Sequence, residues 1–193
     1  MNGSHSYTVE DGAIVGRTAT GSPNSFLCSL QEFKDFELEV ETMVDDITNQ
    51  GVQFRSSVRP VSERDSDNWR AGRVWGPQVD VSRNLGENIN RSDGIGLTTG
   101  MLYGEALGTG WISSQEKRKK GHDFFVNEGW NKLRIVADGP RIQTWVNGHP
   151  VEDLVDEEVY KTHFKGFIGL QIHGIRGERQ FIMKWRNIRI RPL

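Results

Sequence analysis

Two hairpin signals in one short stretch constrain the fold of this chain more than any other feature. Asp138-Gly139 and Asn147-Gly148 separate three runs, at residues 132–137, 141–146 and 149–151, in which apolar and polar side chains alternate. Asp-Gly and Asn-Gly favour type I′ turns because both central residues of such a turn need a positive φ. The stretch therefore predicts a three-stranded antiparallel meander.

The same alternation recurs along most of the chain. Phe36, Leu38 and Val40 alternate with glutamates, which is typical of a strand with one buried and one wet face. Further strands are predicted at Val52–Ser57, Trp75–Val81, Gly100–Ala106, Phe167–His173 and Phe181–Ile190. Helical periodicity is scarce, and a short helix is predicted only over Glu152–Tyr160. We therefore expect an all-β fold.

Length and composition exclude several classes of protein. The chain has 193 residues and no linker rich in Pro, Gly or Ser, which favours a single domain over residues 1–193. Its formal net charge is −2, and the basic run at 117–120 is typical of a solvated loop, so no nucleic-acid partner is expected. No stretch approaches the roughly 20 apolar residues of a membrane span. The one cysteine, Cys28, excludes an internal disulfide.

Several predicted strands place polar side chains together on one face. These side chains are Gln53 with Arg55, Gln78 with Asp80, Tyr103 with Glu105, and Gln171 with His173. Such residue types have defined donors and acceptors, unlike the Lys, Glu and Thr of an ordinary wet face. If the strands are neighbours in one curved sheet, they form a polar floor suited to a sugar, although simple pairing across strands is the alternative. The candidate rings for stacking on the sugar are Trp69, Trp75, Trp111 and Trp145.

His173 is the candidate for chemistry on this floor. It ends an apolar strand, two residues after Gln171, where it could serve as a general base or a metal ligand. Asp80 is its natural carboxylate partner. No motif with diagnostic metal-ligand spacing occurs, so a metal ion cannot be argued from spacing.

An ordered set of short motifs carries a family resemblance over nearly the whole chain. The strongest set is C-terminal and consists of Trp130-Asn131, Trp145-Val146-Asn147-Gly148, Gly166–His173 and Arg186–Ile190; the other motifs lie at residues 10–16, 26–27, 35–38, 51–55 and 100–103. In this order they resemble the 3-keto-disaccharide hydrolase family, formerly domain of unknown function 1080. The resemblance implies a concanavalin A-like or laminin-G-like jelly-roll β-sandwich of two antiparallel sheets. It also implies action on 3-keto-glycosides and favours a periplasmic or secreted bacterial protein, with any leader absent from this chain.

The chemistry that the resemblance implies fits the polar floor. A ketone at C3 acidifies the C2 hydrogen, so a base can remove it, the C1 group leaves by β-elimination, and water adds back. A cation or a metal ion must stabilise the enolate oxygen. The hypothesis assigns these roles to His173 as base or metal ligand, Asp80 beside it as acid/base or metal ligand, Arg55 as the oxyanion partner and Glu105 as a second acid/base. Substrate contacts are assigned to Gln53, Gln78, Gln171, Tyr103, Trp75 and Trp145, a divalent metal ion is an open alternative, and no organic cofactor is expected.

Two other functions remain open at this point. Thr144 stands where relatives often have a histidine, which leaves room for a non-catalytic carbohydrate-binding module with the same groove. An adhesion domain of the laminin-G type would instead present a flat apolar patch.

Overall fold

The computed structural model of the chain describes residues 2–44, 49–60, 72–83, 97–117, 120–175 and 178–193. The predicted loops at 61–72 and 84–96, and with them Trp69, lie almost wholly outside these ranges. Within the described residues, no helix has the length and apolar character needed to cross a bilayer.

Nearly all of the regular secondary structure in the described chain is β-strand. The strands are β1 (Ser6–Glu10), β2 (Ala13–Arg17), β3 (Ser25–Phe33), β4 (Phe36–Val44), β5 (Asn49–Val58), β6 (Val74–Ser82), β7 (Leu102–Glu105), β8 (Gly110–Trp111), β9 (Asn131–Asp138), β10 (Arg141–Val146), β11 (His149–Val155), β12 (Gly166–Ile172) and β13 (Ile182–Pro192). One α-helix, α1 (Glu157–Thr162), and 3₁₀ turns at Gln115–Lys117 and His122–Phe124 complete the described elements.

The strands form two antiparallel sheets. The first, which we call the site sheet, has the order β3-β12-β5-β6-β7-β8, and the second, the backing sheet, has the order β1-β2-β13-β4-β9-β10-β11. The predicted meander is confirmed as β9-β10-β11, with Asn147 and Gly148 both at positive φ in the second turn. The predicted all-β sandwich of two antiparallel sheets is therefore confirmed.

The core lies between the sheets and follows the period-two pattern of the sequence. Phe36, Leu38 and Val40 of β4 are at most 1% exposed and face apolar side chains of the site sheet such as Val52 and Phe54. Burying an aliphatic or aromatic side chain of this size contributes about 1.5–3 kcal/mol to stability. Hydrophobic alternation thus fixes which face of each strand turns inward and which is left for polar side chains.

The predicted helix starts too early. β11 continues through Glu152 to Val155, and α1 begins only after Asp156, whose side chain accepts a hydrogen bond from the backbone nitrogen of Val159 at 2.9 Å. An aspartate in this N-cap position satisfies an unpaired helical N–H group and therefore sets where the helix begins.

Candidate functional site

A groove of about 570 Å³ lies on the outer face of the site sheet. Its described lining residues are Asn24, Asn49, Arg73, Gln78, Asp80, Tyr103, Glu105, Ala106, Gly110, Trp111, Gln171 and His173. Polar side chains of β5, β6, β7 and β12 form its floor because alternation turns their apolar neighbours into the core. The groove brings together six of the predicted site residues: Gln78, Asp80, Tyr103, Glu105, Gln171 and His173.

Asp80 lies enclosed in the floor and is 2% exposed. Its Oδ1 accepts a hydrogen bond from Asn49 Nδ2 at 2.8 Å and a longer one from Gln78 Nε2 at 3.5 Å, while Thr98 Oγ1 donates to Oδ2. Burial outweighs these hydrogen bonds and raises the pKa of Asp80 to about 7. Near neutral pH this carboxyl can therefore either hold or release a proton.

Glu105 and Arg73 form an ion pair in the groove. Arg73 Nη2 lies 3.1 Å from Glu105 Oε1, and the Glu105 side chain is 8% exposed. Asn24 Nδ2 donates to the same Oε1 at 3.3 Å, and Gln171 Nε2 donates to Oε2 at 3.3 Å. Side chains from separate parts of the chain thus fix the carboxylate and hold the guanidinium beside the floor.

His173 stands half-buried at the end of β12. Its Nδ1 lies 2.8 Å from the carbonyl oxygen of Gly174, an atom that can only accept a hydrogen bond. This contact places the ring hydrogen of the neutral imidazole on Nδ1 and leaves Nε2 as the basic nitrogen. Asp80 accepts hydrogen bonds from the side chains of Asn49, Gln78 and Thr98. His173 therefore has the backbone of Gly174 as its partner in place of the predicted Asp80.

An aromatic pair forms part of the groove wall. Tyr103 on β7 and Trp111 on β8 face each other across paired strands, with ring centroids 5.1 Å apart and an interplanar angle of 64°. Both rings line the groove and both are half-buried. Of the candidate stacking rings in the described chain, Trp111 is the one that the fold brings to the groove.

The prediction that Arg55 faces the groove is wrong. Arg55 adopts a positive φ of 47°, and the register of β5 against β6 shifts between Gln53 and Ser57. This bulge takes the side chain out of the alternation. Arg55 is 2% exposed, and its Nη2 bonds to Asp35 at 2.8 Å instead of reaching a substrate.

Three other predicted contact residues also lie elsewhere. Gln53 pairs in register with Gln78, but it is fully buried and does not line the groove. Trp75 packs edge-on against His163 at a centroid distance of 4.5 Å. Trp145 belongs to the backing sheet, where the Arg134 guanidinium lies 4.1 Å from its ring centroid. Pattern alone could not show to which sheet each strand belongs, and this caused the error for Trp145.

Three polar residues of the groove lining were not predicted from the sequence: Asn24, Asn49 and Arg73. Asn24 precedes β3, Asn49 is the first residue of β5, and Arg73 precedes β6. All lie at strand starts, outside the runs where alternation assigns a face. Asn49 and Arg73 fall two or three residues before predicted strands and no strand was predicted after Asn24, so alternation gave no signal that singles them out.

The metal ion predicted from the sequence has few protein ligands among the described residues. Among the described residues, no three side chains of His, Cys, Asp or Glu come together in a geometry that could bind one. Both oxygens of Asp80 already accept hydrogen bonds. A metal ion on His173 and Asp80 therefore stays a prediction.

A comparison with known families decides where this chain belongs. The model of the 3-keto-alpha-glucoside-1,2-lyase-like domain matches residues 1–191. The chain belongs to this family. The family is carbohydrate-related, and its description agrees with the resemblance carried by the ordered motifs. No curated protein matches the chain at a significant level.

Solved structures of other proteins have the same sandwich fold as this chain. A Bacillus subtilis protein with a galectin-like fold is 11% identical with a TM-score of 0.64, covering 98% of this chain and 86% of its own. Carbohydrate binding module CBM66 from Bacillus subtilis is 15% identical with a TM-score of 0.62, covering 97% and 91%. A β-1,3-glucanase from Mycobacterium marinum is 11% identical with a TM-score of 0.53, covering 94% and 75%. At these identities the likeness establishes the galectin-like, jelly-roll fold alone.

Proposed function

We propose that this domain cleaves 3-keto-glycosides in the groove by proton abstraction at C2, β-elimination at C1 and hydration. The observation that carries the proposal is the meeting of His173, Arg73 and Glu105 in one groove with an aromatic wall. Family membership supports the reaction class.

The first step needs a base. His173 is suited to it because its contact with Gly174 leaves Nε2 as the basic nitrogen, and histidine is the side chain that most often serves as a general base. Nε2 takes the C2 proton, and the electrons of the broken C–H bond move into a C2–C3 double bond with the charge on the C3 oxygen. The ketone makes this step possible, so a plain glycoside is not a substrate.

The second requirement is a cation for the enolate oxygen. Arg73 takes over the role that the sequence analysis gave to Arg55, since it lines the groove. Glu105 holds the guanidinium in place at 3.1 Å. A fixed cation stabilises the negative charge as it develops on the oxygen without having to reorganise during the reaction.

Elimination and hydration complete the cycle. The enolate re-forms the C3 carbonyl, a C1–C2 double bond forms, and the bond from C1 to the leaving oxygen breaks, with that oxygen taking a proton from solvent. Water then adds its oxygen to C1 and releases one of its protons to solvent, which balances the proton that the leaving oxygen took up. His173, after exchange of its proton with solvent, returns one to C2. The net result is hydrolysis of the glycoside with the 3-keto group kept.

The test compares a 3-keto-disaccharide with the corresponding plain disaccharide in D₂O. We expect consumption of the keto compound only, with deuterium appearing at C2 of the released 3-keto-sugar above the level of an enzyme-free blank. His173→Ala should lower the rate by about a hundredfold or more, because general base catalysis contributes about that much. His149→Ala is the matched control, since His149 is exposed and stacks on Phe124 outside the groove.

Two outcomes would contradict the proposal. Near-normal turnover by His173→Ala removes this histidine from the mechanism. Binding of the plain disaccharide without any turnover of the keto compound makes the domain a non-catalytic carbohydrate-binding module, for which the aromatic wall and polar floor are equally suited.

A further inference from the structure

Residues 2–5, which we call the N-terminal strap, run along the segment that leads into β3. The Gly3 nitrogen donates to the carbonyl oxygen of Asn24 at 3.0 Å. The nitrogens of Ser4 and His5 donate to the hydroxyls of Ser22 and Ser25 at 2.8 and 3.2 Å. The strap is thus fixed to residues 22–25 by a series of hydrogen bonds.

Gly3 allows this close contact because it has no side chain. A Cβ atom at Gly3 would lie 2.3 Å from the carbonyl oxygen of Pro23 and 2.4 Å from the Ser22 hydroxyl. No other residue fits here without moving the backbone. The strap therefore has one defined position against the segment that carries Asn24.

The side chain of Asn2 binds the backbone on both sides of Arg73. Its Nδ2 donates to the Gly72 carbonyl oxygen at 3.0 Å, and its Oδ1 accepts from the Val74 nitrogen at 2.8 Å. The amide thus pairs with this segment as a neighbouring strand would. Asn2 adopts a φ of 71°, a left-handed conformation that asparagine tolerates better than most residues.

The strap also reaches the other groove residues through Asn24. The Oδ1 of Asn24 accepts from the Gly174 nitrogen at 2.8 Å, and its Nδ2 donates to Glu105 at 3.3 Å. The carbonyl oxygen of the same Gly174 holds the His173 ring. One short segment thereby contacts the backbone that carries Arg73 and the asparagine that links Glu105 to His173.

We propose that the N-terminal strap positions the reacting groups of the groove, with Asn2 as the positioning residue for Arg73. This inference rests on the proposed function for the role of Arg73, but not for the contacts of Asn2. Asn2 is exposed and lies beside the groove lining, so it acts through Arg73 and not on the substrate. Misplacement of the Arg73 guanidinium weakens stabilisation of the enolate more than it weakens binding of the substrate. Loss of the Asn2 contacts should therefore lower kcat more than it raises KM.

The experiment uses the full chain with Asn2→Ala, Asn2→Asp and the control Thr8→Ala. Thr8 lies on β1, where its hydroxyl makes exposed hydrogen bonds to Glu10 and Arg17. On a 3-keto-disaccharide, Asn2→Ala should lower kcat on the order of tenfold with KM little changed, because small misplacements of a catalytic group have effects of this size. Asn2→Asp keeps the acceptor for the Val74 N–H group but loses the donor to Gly72, so its kcat should lie between those of the parent protein and Asn2→Ala. Thr8→Ala should match the parent protein.

Hydrogen exchange of the Val74 amide, followed by NMR, provides a readout that is independent of turnover. Asn2→Ala should speed exchange at Val74 and leave the amides of the β9-β10 pair unchanged. Unchanged exchange at Val74, or a kcat equal to that of Thr8→Ala in an active enzyme, overturns the inference.

The two proposals can fail separately. If the parent protein does not turn over the keto compound, the proposed function fails. The Val74 exchange then decides by itself whether Asn2 holds the segment that carries Arg73. Faster exchange in Asn2→Ala supports this positioning, and unchanged exchange overturns it.

Discussion

Arg55 binds Asp35 across the end of the sandwich, with Nη2 2.8 Å from Oδ1. The same guanidinium donates to the carbonyl oxygens of Lys34 at 2.5 Å and Gly139 at 2.7 Å. Arg55 thus ties β5 of the site sheet to the β3-β4 and β9-β10 turns. Arg55, which the sequence predicted to be the oxyanion partner of the substrate, is instead a structural cross-link between the two sheets.

Arg55→Met should therefore lower stability and leave chemistry intact. The loss of this buried cation and its hydrogen bonds should lower the free energy of unfolding by about 2–4 kcal/mol, measured by urea denaturation. Turnover per folded molecule should stay at the parent level. Arg17→Met is the control, because the Arg17–Glu10 pair is exposed and such pairs contribute about 0–1 kcal/mol. A stable Arg55→Met protein without activity would return Arg55 to the mechanism.

The protonation of Asp80 should make stability depend on pH. Burial raises its pKa from 3.8 to about 7, so between these values the native state binds more protons than the unfolded state. The stabilising contribution is complete below the unfolded pKa and is lost as pH rises through the folded pKa. Asp80→Asn lacks this titration and can keep the hydrogen bonds to Asn49 and Thr98.

We therefore expect Asp80→Asn to gain stability relative to the parent by roughly 2–3 kcal/mol between pH 5 and pH 8. The measurement is urea denaturation of both proteins across this range. His163, whose pKa is lowered to about 4 by burial, titrates in both proteins and cancels in the difference. A difference independent of pH would show that Asp80 stays ionised in the folded protein.

Trp111 and Trp145 should respond differently to removal of the ring. Trp111→Ala opens the groove wall and should weaken binding of the sugar about tenfold, since a desolvated aromatic contact of this kind contributes about 1 kcal/mol or more. Trp145→Ala removes a ring from the outer face of the backing sheet and should leave affinity unchanged. Isothermal titration calorimetry with a disaccharide distinguishes the two. Equal effects would mean that the groove is not the binding site.

Two glycine-to-alanine substitutions should separate groove function from stability. A Cβ at Gly51 would lie 2.2–2.5 Å from the Gln78 side chain, which can move but would then leave its place on the groove floor. Gly51→Ala should therefore reduce turnover with little change in unfolding free energy. A Cβ at Gly16 would lie 2.6 Å from Ile172 Cδ1 and 2.9 Å from Trp185 Cζ3 in the core.

Gly16→Ala should instead lower the free energy of unfolding by about 1–3 kcal/mol, as overpacked cores do, and leave turnover per folded molecule unchanged. Thermal and urea denaturation, combined with the turnover assay, give both quantities. If Gly51→Ala lowered stability and kept full turnover, the assignment of Gln78 to the groove floor would be contradicted.

The sequence by itself determined most of the strands and the inward face of several of them, although it did not predict β1, β2, β3 or β8. Alternation along β6 and β12 placed Gln78, Asp80, Gln171 and His173 opposite the core, and the structure brings these four side chains into one groove. Strand periodicity is a local property, set by the direction of successive Cβ atoms, so it can be read without knowing the neighbours.

Only the tertiary structure decided which strands are neighbours and where alternation breaks. The bulge at Arg55 reverses one side chain, and the assignment of β10 to the backing sheet removes Trp145 from the groove. Arg73 and Asn24 enter the groove from strand starts through contacts with residues far away in the chain, such as Asn2 and Gly174. Such pairings depend on long-range register and loop closure, and no local pattern of side chains specifies them.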